Sequence, residues 1–120
     1  MSRLSEELRQ RAKKYAAAAI RLYVTLPRRR KEVEVLGHQL LRSGTSVAAH
    51  AREASRARSD LEFCSKLDGL LQEADESALW LELLREECGI QSEDLIQLHR
   101  EGQELIAIFV TIVSRTRSQS

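Results

Sequence analysis

The stretch SDLEFCSKLDGLLQEADESALWLELLREEC, residues 59–88, decides the fold. Phe63, Leu67, Leu70, Ala74, Ser77, Leu81, Leu84 and Cys88 alternate steps of four and three without a fault. That is the spacing of one helix face, close to the heptad stripe of a packed bundle. Cys64, Leu71 and Ala78 form a second row beside it, with Trp80 and Leu83 further round. Ser59-Asp60-Leu61-Glu62 reads as a capping box, in which Ser59 accepts from the amide three residues on and Glu62 reaches back. Gly89 is placed to end the helix.

The same period extends outward on both sides. Leu8, Ala12, Tyr15, Ala19, Leu22 and Leu26 mark a first helix over about residues 5–26, capped by Ser5 and stopped by Pro27. Val33, Leu36, Leu40, Val47, Ala51 and Ala54 mark a second over about 30–57. Its interior carries Ser43-Gly44-Thr45-Ser46, a cluster that costs about 1 kcal/mol for the Gly alone. A continuous helix is expected there, with the small side chains admitting a close neighbour, either from the same bundle or from another subunit. Ser92, Glu93 and Asp94 open a fourth helix over about 93–114, with Leu95, Leu98, Gly102, Leu105, Phe109 and Ile112 as its stripe. Ile106, Val110 and Val113 widen that face, and the polar tail Ser114–Ser120 is expected to fray.

Composition agrees with helices. The 120 residues include one Pro, five Gly and 4% aromatics, against 42% apolar and 31% charged. That excludes a disordered tail and disfavours a sandwich or barrel. Short connections between the four helices make neighbours antiparallel, so the expected architecture is all-α, a single antiparallel up-down four-helix bundle over residues 1–120. No apolar run nears the ~20 residues needed to span a bilayer, and no apolar signal follows Met1. A soluble, cytoplasmic protein is expected. Cys64 and Cys88, on one helix, would stand ~36 Å apart and cannot pair. Both read as small buried apolar groups.

Chemistry is sparse. Carboxylate-bridged metal bundles use Glu-x-x-His motifs, and none is present. His50-x-x-Glu53 and Glu34-x-x-x-His38 stand alone, so His38, His50 and His99 read as surface or hydrogen-bonded residues. There is no Gly-rich phosphate loop, Cys-x-x-Cys pair or nucleophile motif. No metal, no cofactor and no enzymatic activity are expected.

Charge is more informative. Residues 1–58 carry 14 Lys/Arg against 5 Asp/Glu, a balance of +9, and residues 59–120 carry 5 against 13, a balance of −8. Either the two halves attract each other within one fold, or the first presents a basic surface to a polyanion. Arg28-Arg29-Arg30-Lys31 is a run of four positive charges at the first junction. Lys31, Arg42, Arg52 and Arg56 fall within ~80° on a helical wheel, facing away from the apolar stripe. No acid lies near Arg42 in sequence to balance it. Arg3, Lys14 and Arg21 gather along one flank of the first helix. Arginine outnumbers lysine 15 to 4, which suits planar, bidentate contacts to phosphate or carboxylate. The expected nucleic-acid-binding residues are therefore Arg28, Arg29, Arg30, Lys31, Arg42, Arg52 and Arg56, with a solvated charged face as the plain alternative.

The segment Gln39-Leu40-Leu41-Arg42-Ser43-Gly44-Thr45-Ser46-Val47-Ala48-Ala49 resembles the second-helix signature of bacterial four-helix bundle proteins. These are encoded in intervening sequences of 23S ribosomal RNA genes, and are similar to the accessory variability protein of diversity-generating retroelements. The likeness continues through Glu53-Ala54, Ser59, Asp60, Phe63, Lys66-Leu67, Glu73-Ala74, Glu76 and Trp80-Leu81-Glu82-Leu83-Leu84. It departs at His50 and Arg52, where the family pattern has Asn and a neutral or apolar residue. The resemblance implies a homo-oligomer, specifically a homopentameric barrel. It also implies association with RNA or DNA and, for the retroelement relatives, a reverse-transcriptase partner.

Overall fold

Three serines start three of the four helices. In the computed structural model, which describes residues 3–119, Ser5, Ser59 and Ser92 each accept a hydrogen bond from the amide three residues on, at 3.2, 3.0 and 3.3 Å. Each thereby satisfies one of the free N–H groups of a helix start. The helices are α1 (Glu6–Thr25), α2 (Lys31–Ser55), α3 (Asp60–Glu86) and α4 (Glu93–Ser118). At Ser59 only half of the capping box forms. The Glu62 carboxylate lies 3.7 Å from Arg58 Nε instead of returning to the Ser59 amide.

Pro27 ends α1 through its neighbour, since Leu26 is extended at φ −71°, ψ 147°. After α3, Gly89 takes φ 71°, and the Ile90 amide donates to the Leu84 carbonyl at 3.0 Å. This is the left-handed stop that glycine makes at no steric cost. With such short turns the four helices run up and down in a body of 48 × 21 × 21 Å. α3 packs against both α2 and α4, and α1 mainly against α2.

α2 is unbroken through Ser43–Ser46. The Thr45 and Ser46 hydroxyls donate to the Leu41 and Arg42 carbonyls one turn back, at 2.8 and 2.9 Å, so no loop is needed to satisfy them. Gly44 admits a neighbour from the same bundle, because a Cβ there would stand 2.8 Å from Ala19 Cβ of α1.

The fourth helix differs from expectation at its end. It does not fray at Ser114 but continues to Ser118, while Ser120 lies outside the described residues. Val113 is buried, and Arg117 Nη2 holds Asp68 of α3 at 2.6 Å, which pins the last turn.

The second apolar row of α3 is used within the bundle. Arg117–Asp68 and His99–Glu82 put residues 68 and 82 toward α4, and Cys64, Leu71 and Ala78 lie within four positions of them on the same face. Cys64 and Ala78 are buried, and Leu71 packs against the core. Cys64 and Cys88 are both buried and free. Among the described residues, no helix is long and apolar enough to cross a membrane.

Candidate nucleic-acid interface

The seven expected basic residues divide into three places along α2, not one surface. Lys31 and Arg56 are separated by ~37 Å of helix at 1.5 Å per residue. Arg28, Arg29, Arg30 and Lys31 sit at one end, Arg42 in the middle, and Arg52 and Arg56 at the other end.

At the first end, two of the four positive charges are engaged. Arg28 stacks over the Tyr23 ring with its guanidinium 4.8 Å from the centroid. Arg30 donates to the Cys88 carbonyl at 2.9 Å, tying the α1–α2 turn to the end of α3, and pairs with Glu32 at 2.9 Å. Glu32's own backbone N–H, then Arg30, hold its carboxyl below the usual range. Arg29 and Lys31 are exposed.

Arg42 is not the unbalanced charge expected from its sequence neighbours. Its two Nη atoms reach Glu73 and Glu76 of α3 at 3.2 and 3.1 Å, and its Nε donates to Gln39. The balancing acids are 31 and 34 residues away in the chain, which is why local sequence could not supply them. Arg42 belongs to the α2–α3 seam.

This is the mutual attraction of the halves realised in part. Arg3 pairs with Asp60 at 2.6 Å, and Arg11 with Glu101 at 2.6 Å, raising the Arg11 pKa through that hydrogen bond. Lys14 and Arg21 line a separate groove between α1 and α4, opposite Asp94 and Glu101. Half-buried His99 meets Glu82 at 2.9 Å, His50 lies against Gly69 and Glu53, and His38 is exposed.

The far end is different. Arg52 and Arg56, one turn apart on α2, open onto a groove of about 950 Å³ with Arg9 and Lys13 of α1 and Lys66 of α3. Ala48 and Ala49 line it on the α2 side, leaving the space between the long side chains open. Its two acids, Glu53 and Glu62, each lie near a cation or imidazole. Glu53 lies 3.1 Å from His50 and 3.8 Å from Lys66, and Glu62 pairs with Arg58. Arg9 pairs with Glu6, but its Nε is shielded from solvent with no hydrogen-bond partner. Lys13, Arg52 and Arg56 have no carboxylate within ion-pair distance among the described residues. Arg3 fixes the site's walls: its backbone amide donates to Ser55, its Nε to Ala57, and its guanidinium to Asp60. That clamp seats the start of α1 on the α2–α3 turn.

Arg9, Lys13 and Lys66 are therefore site residues that α2's own pattern missed. The i,i+4 spacing of Arg9 and Lys13 was visible in the sequence; their register against α2 was not.

Four antiparallel helices with a basic groove at one end define a four-helix bundle; among the described residues no three His, Cys, Asp or Glu gather where they could hold a metal ion. The model of the 23S rRNA-intervening sequence protein family matches residues 5–111, and the chain belongs to that family. A solved structure of a protein of unknown function from the S23 ribosomal protein family of Bacteroides thetaiotaomicron is similar. It is 31% identical, with a TM-score of 0.80 over 88% of this chain and 97% of that one. No curated protein matches.

Proposed function

We propose that this chain is a non-enzymatic, cytoplasmic accessory protein that binds RNA or DNA through phosphate contacts, without marked sequence preference. The observation that carries the reading is the convergence of Lys13, Arg52 and Arg56, cations without acid partners, on one groove. Phosphate contacts confer affinity and position but carry no base sequence. The groove holds no aromatic side chain, so base stacking has no platform there.

The working form is a homo-oligomer, a pentamer by family resemblance. Val35 and Leu79 are each nearly half exposed, and Val24 is 59% exposed, leaving apolar surface for contact between copies. In a ring the basic grooves repeat, and several weak contacts act together on one polyanion. Native mass spectrometry showing only the 13.7 kDa species at micromolar concentration would refute the oligomer.

The test of nucleic-acid binding is charge reversal followed by fluorescence anisotropy of a labelled RNA. Arg52→Glu with Arg56→Glu is expected to abolish binding at ~50 mM salt, where such contacts are strongest. Arg42→Gln is expected to leave it intact. If the double variant binds like its parent, the groove is not the site. The second reading, a scaffold for a protein such as a reverse transcriptase, is favoured by the exposed apolar side chains and takes over if the parent binds no nucleic acid.

A further inference from the structure

The groove between α1, α2 and α3 is a half-open cleft, lined by long, mostly exposed side chains from all three helices. Its volume, about 950 Å³, lies at the upper end of small-molecule sites, which run ~300–1,000 Å³. Three helices supply its cations, five against the two acids Glu53 and Glu62, and the cation nearest Glu53 is Lys66 while that nearest Glu62 is Arg58. Arg52 and Arg56 stand about one helical turn apart, ~6 Å along the axis. Two guanidiniums so placed can each take one of two neighbouring phosphate groups, and arginine's planar fork suits that contact. Lys13 faces them from α1, and the Arg9 Nε on the same wall lacks an acceptor.

We infer that this groove is a discrete phosphate pocket, holding two successive backbone phosphates of a flexible nucleic-acid strand on Lys13, Arg52 and Arg56. The inference rests on the nucleic-acid reading above and adds to it a location and a ligand unit. The α1–α2 turn does not offer the same site. There Arg28 is stacked on Tyr23 and Arg30 is spent on the Cys88 carbonyl and Glu32. Arg42 is bound to two glutamates. Ala48 and Ala49 beside the cations leave room for sugar, and nothing in the groove selects a base.

The probe is inorganic pyrophosphate, two linked phosphates without sugar or base. It is titrated into the full chain at ~50 mM salt, the regime where phosphate contacts are strong, and followed by amide chemical shifts. Saturable binding, one site per chain, is expected, with shifts centred on the ends of α1 and α2 that line the groove. Arg52→Gln with Arg56→Gln should weaken it at least tenfold, while Arg28→Gln with Arg29→Gln should leave it unchanged. Circular dichroism of both variants checks that helicity is kept. Unsaturable shifts, or equal weakening by both pairs, would overturn the pocket. RNA bound without saturable pyrophosphate binding overturns the pocket and leaves the nucleic-acid reading standing. Pyrophosphate held in the groove by a chain that binds no RNA supports the pocket and removes that reading.

Discussion

The Ser43 and Ser77 hydroxyls lie 2.6 Å apart, both fully buried, joining α2 to α3 at mid-bundle. Ser77 also reaches the Glu73 carbonyl at 2.9 Å and Ser43 the Leu40 carbonyl at 3.4 Å, so one hydroxyl donates across the seam and the other to its own helix. The bond sits where the apolar stripe of α3 places a serine between Ala74 and Leu81. It makes one register of α2 against α3 better than its neighbours.

Removing either hydroxyl leaves the other buried with only a carbonyl of its own helix as partner. Ser77→Ala or Ser43→Ala is expected to cost about 1–2 kcal/mol in urea denaturation, and the double variant less than the sum. Additive losses would mean the two serines do not act as a pair.

Gly44 sets the distance between α1 and α2. Alanine would gain about 1 kcal/mol of helix propensity. Its Cβ would nevertheless stand 2.8 Å from that of Ala19, a contact between two rigid methyl positions, so the helices must part. Gly44→Ala is expected to destabilise by a net ~1–3 kcal/mol, as overpacked cores do. A more stable variant would show that α1 yields at no cost.

Tyr15 makes alkaline pH informative. Burial pushes its hydroxyl from the ordinary 10.0 up to about 12, and the influence of Ser77 is smaller and opposite. Among the described residues the hydroxyl itself has no hydrogen-bond partner. A raised acid favours folding while protonated in both states. That contribution is complete below pH ~10 and is lost as pH rises toward about 12. At ~1.4 kcal/mol per pH unit, up to about 3 kcal/mol goes over that range. Tyr15→Phe is expected to lose less stability than its parent between pH 8 and pH 11, read from urea midpoints. Equal losses would contradict the burial of the hydroxyl.

Arg42 serves the α2–α3 seam. Its side chain is half exposed while Glu73 is 13% exposed, so Arg42→Ala should cost up to about 1 kcal/mol of stability. RNA affinity should stay within about threefold of the parent. A large loss of binding without loss of stability would return Arg42 to the interface.

Most of the fold was legible because its determinants are local. The alternation from Phe63 to Cys88, the serine caps and Gly89 all act within a turn or two of helix, and each appears where its spacing put it. Ser43–Ser46 was readable as helix because those hydroxyls can bond back to their own chain. The end of α4 was not, since what holds it is Asp68 of another helix. The site was only partly legible for the same reason. A helical wheel groups Lys31, Arg42, Arg52 and Arg56 by angle alone and takes no account of the ~37 Å between first and last. Nor could it show that Glu73 and Glu76 would meet Arg42. What the sequence carried was the excess of charge; which cations stay unpaired is decided by helix register.

The most direct measurement is the salt dependence of binding for two unrelated single-stranded RNAs. Two phosphates held per chain, at ~0.7 each for single strands, give a slope of about −1.4 in log affinity against log salt for one chain, and a steeper one in an oligomer. The account predicts that slope or a steeper one, with both RNAs bound alike at ~50 mM salt. No binding at that salt, or binding that salt leaves unchanged, would contradict it.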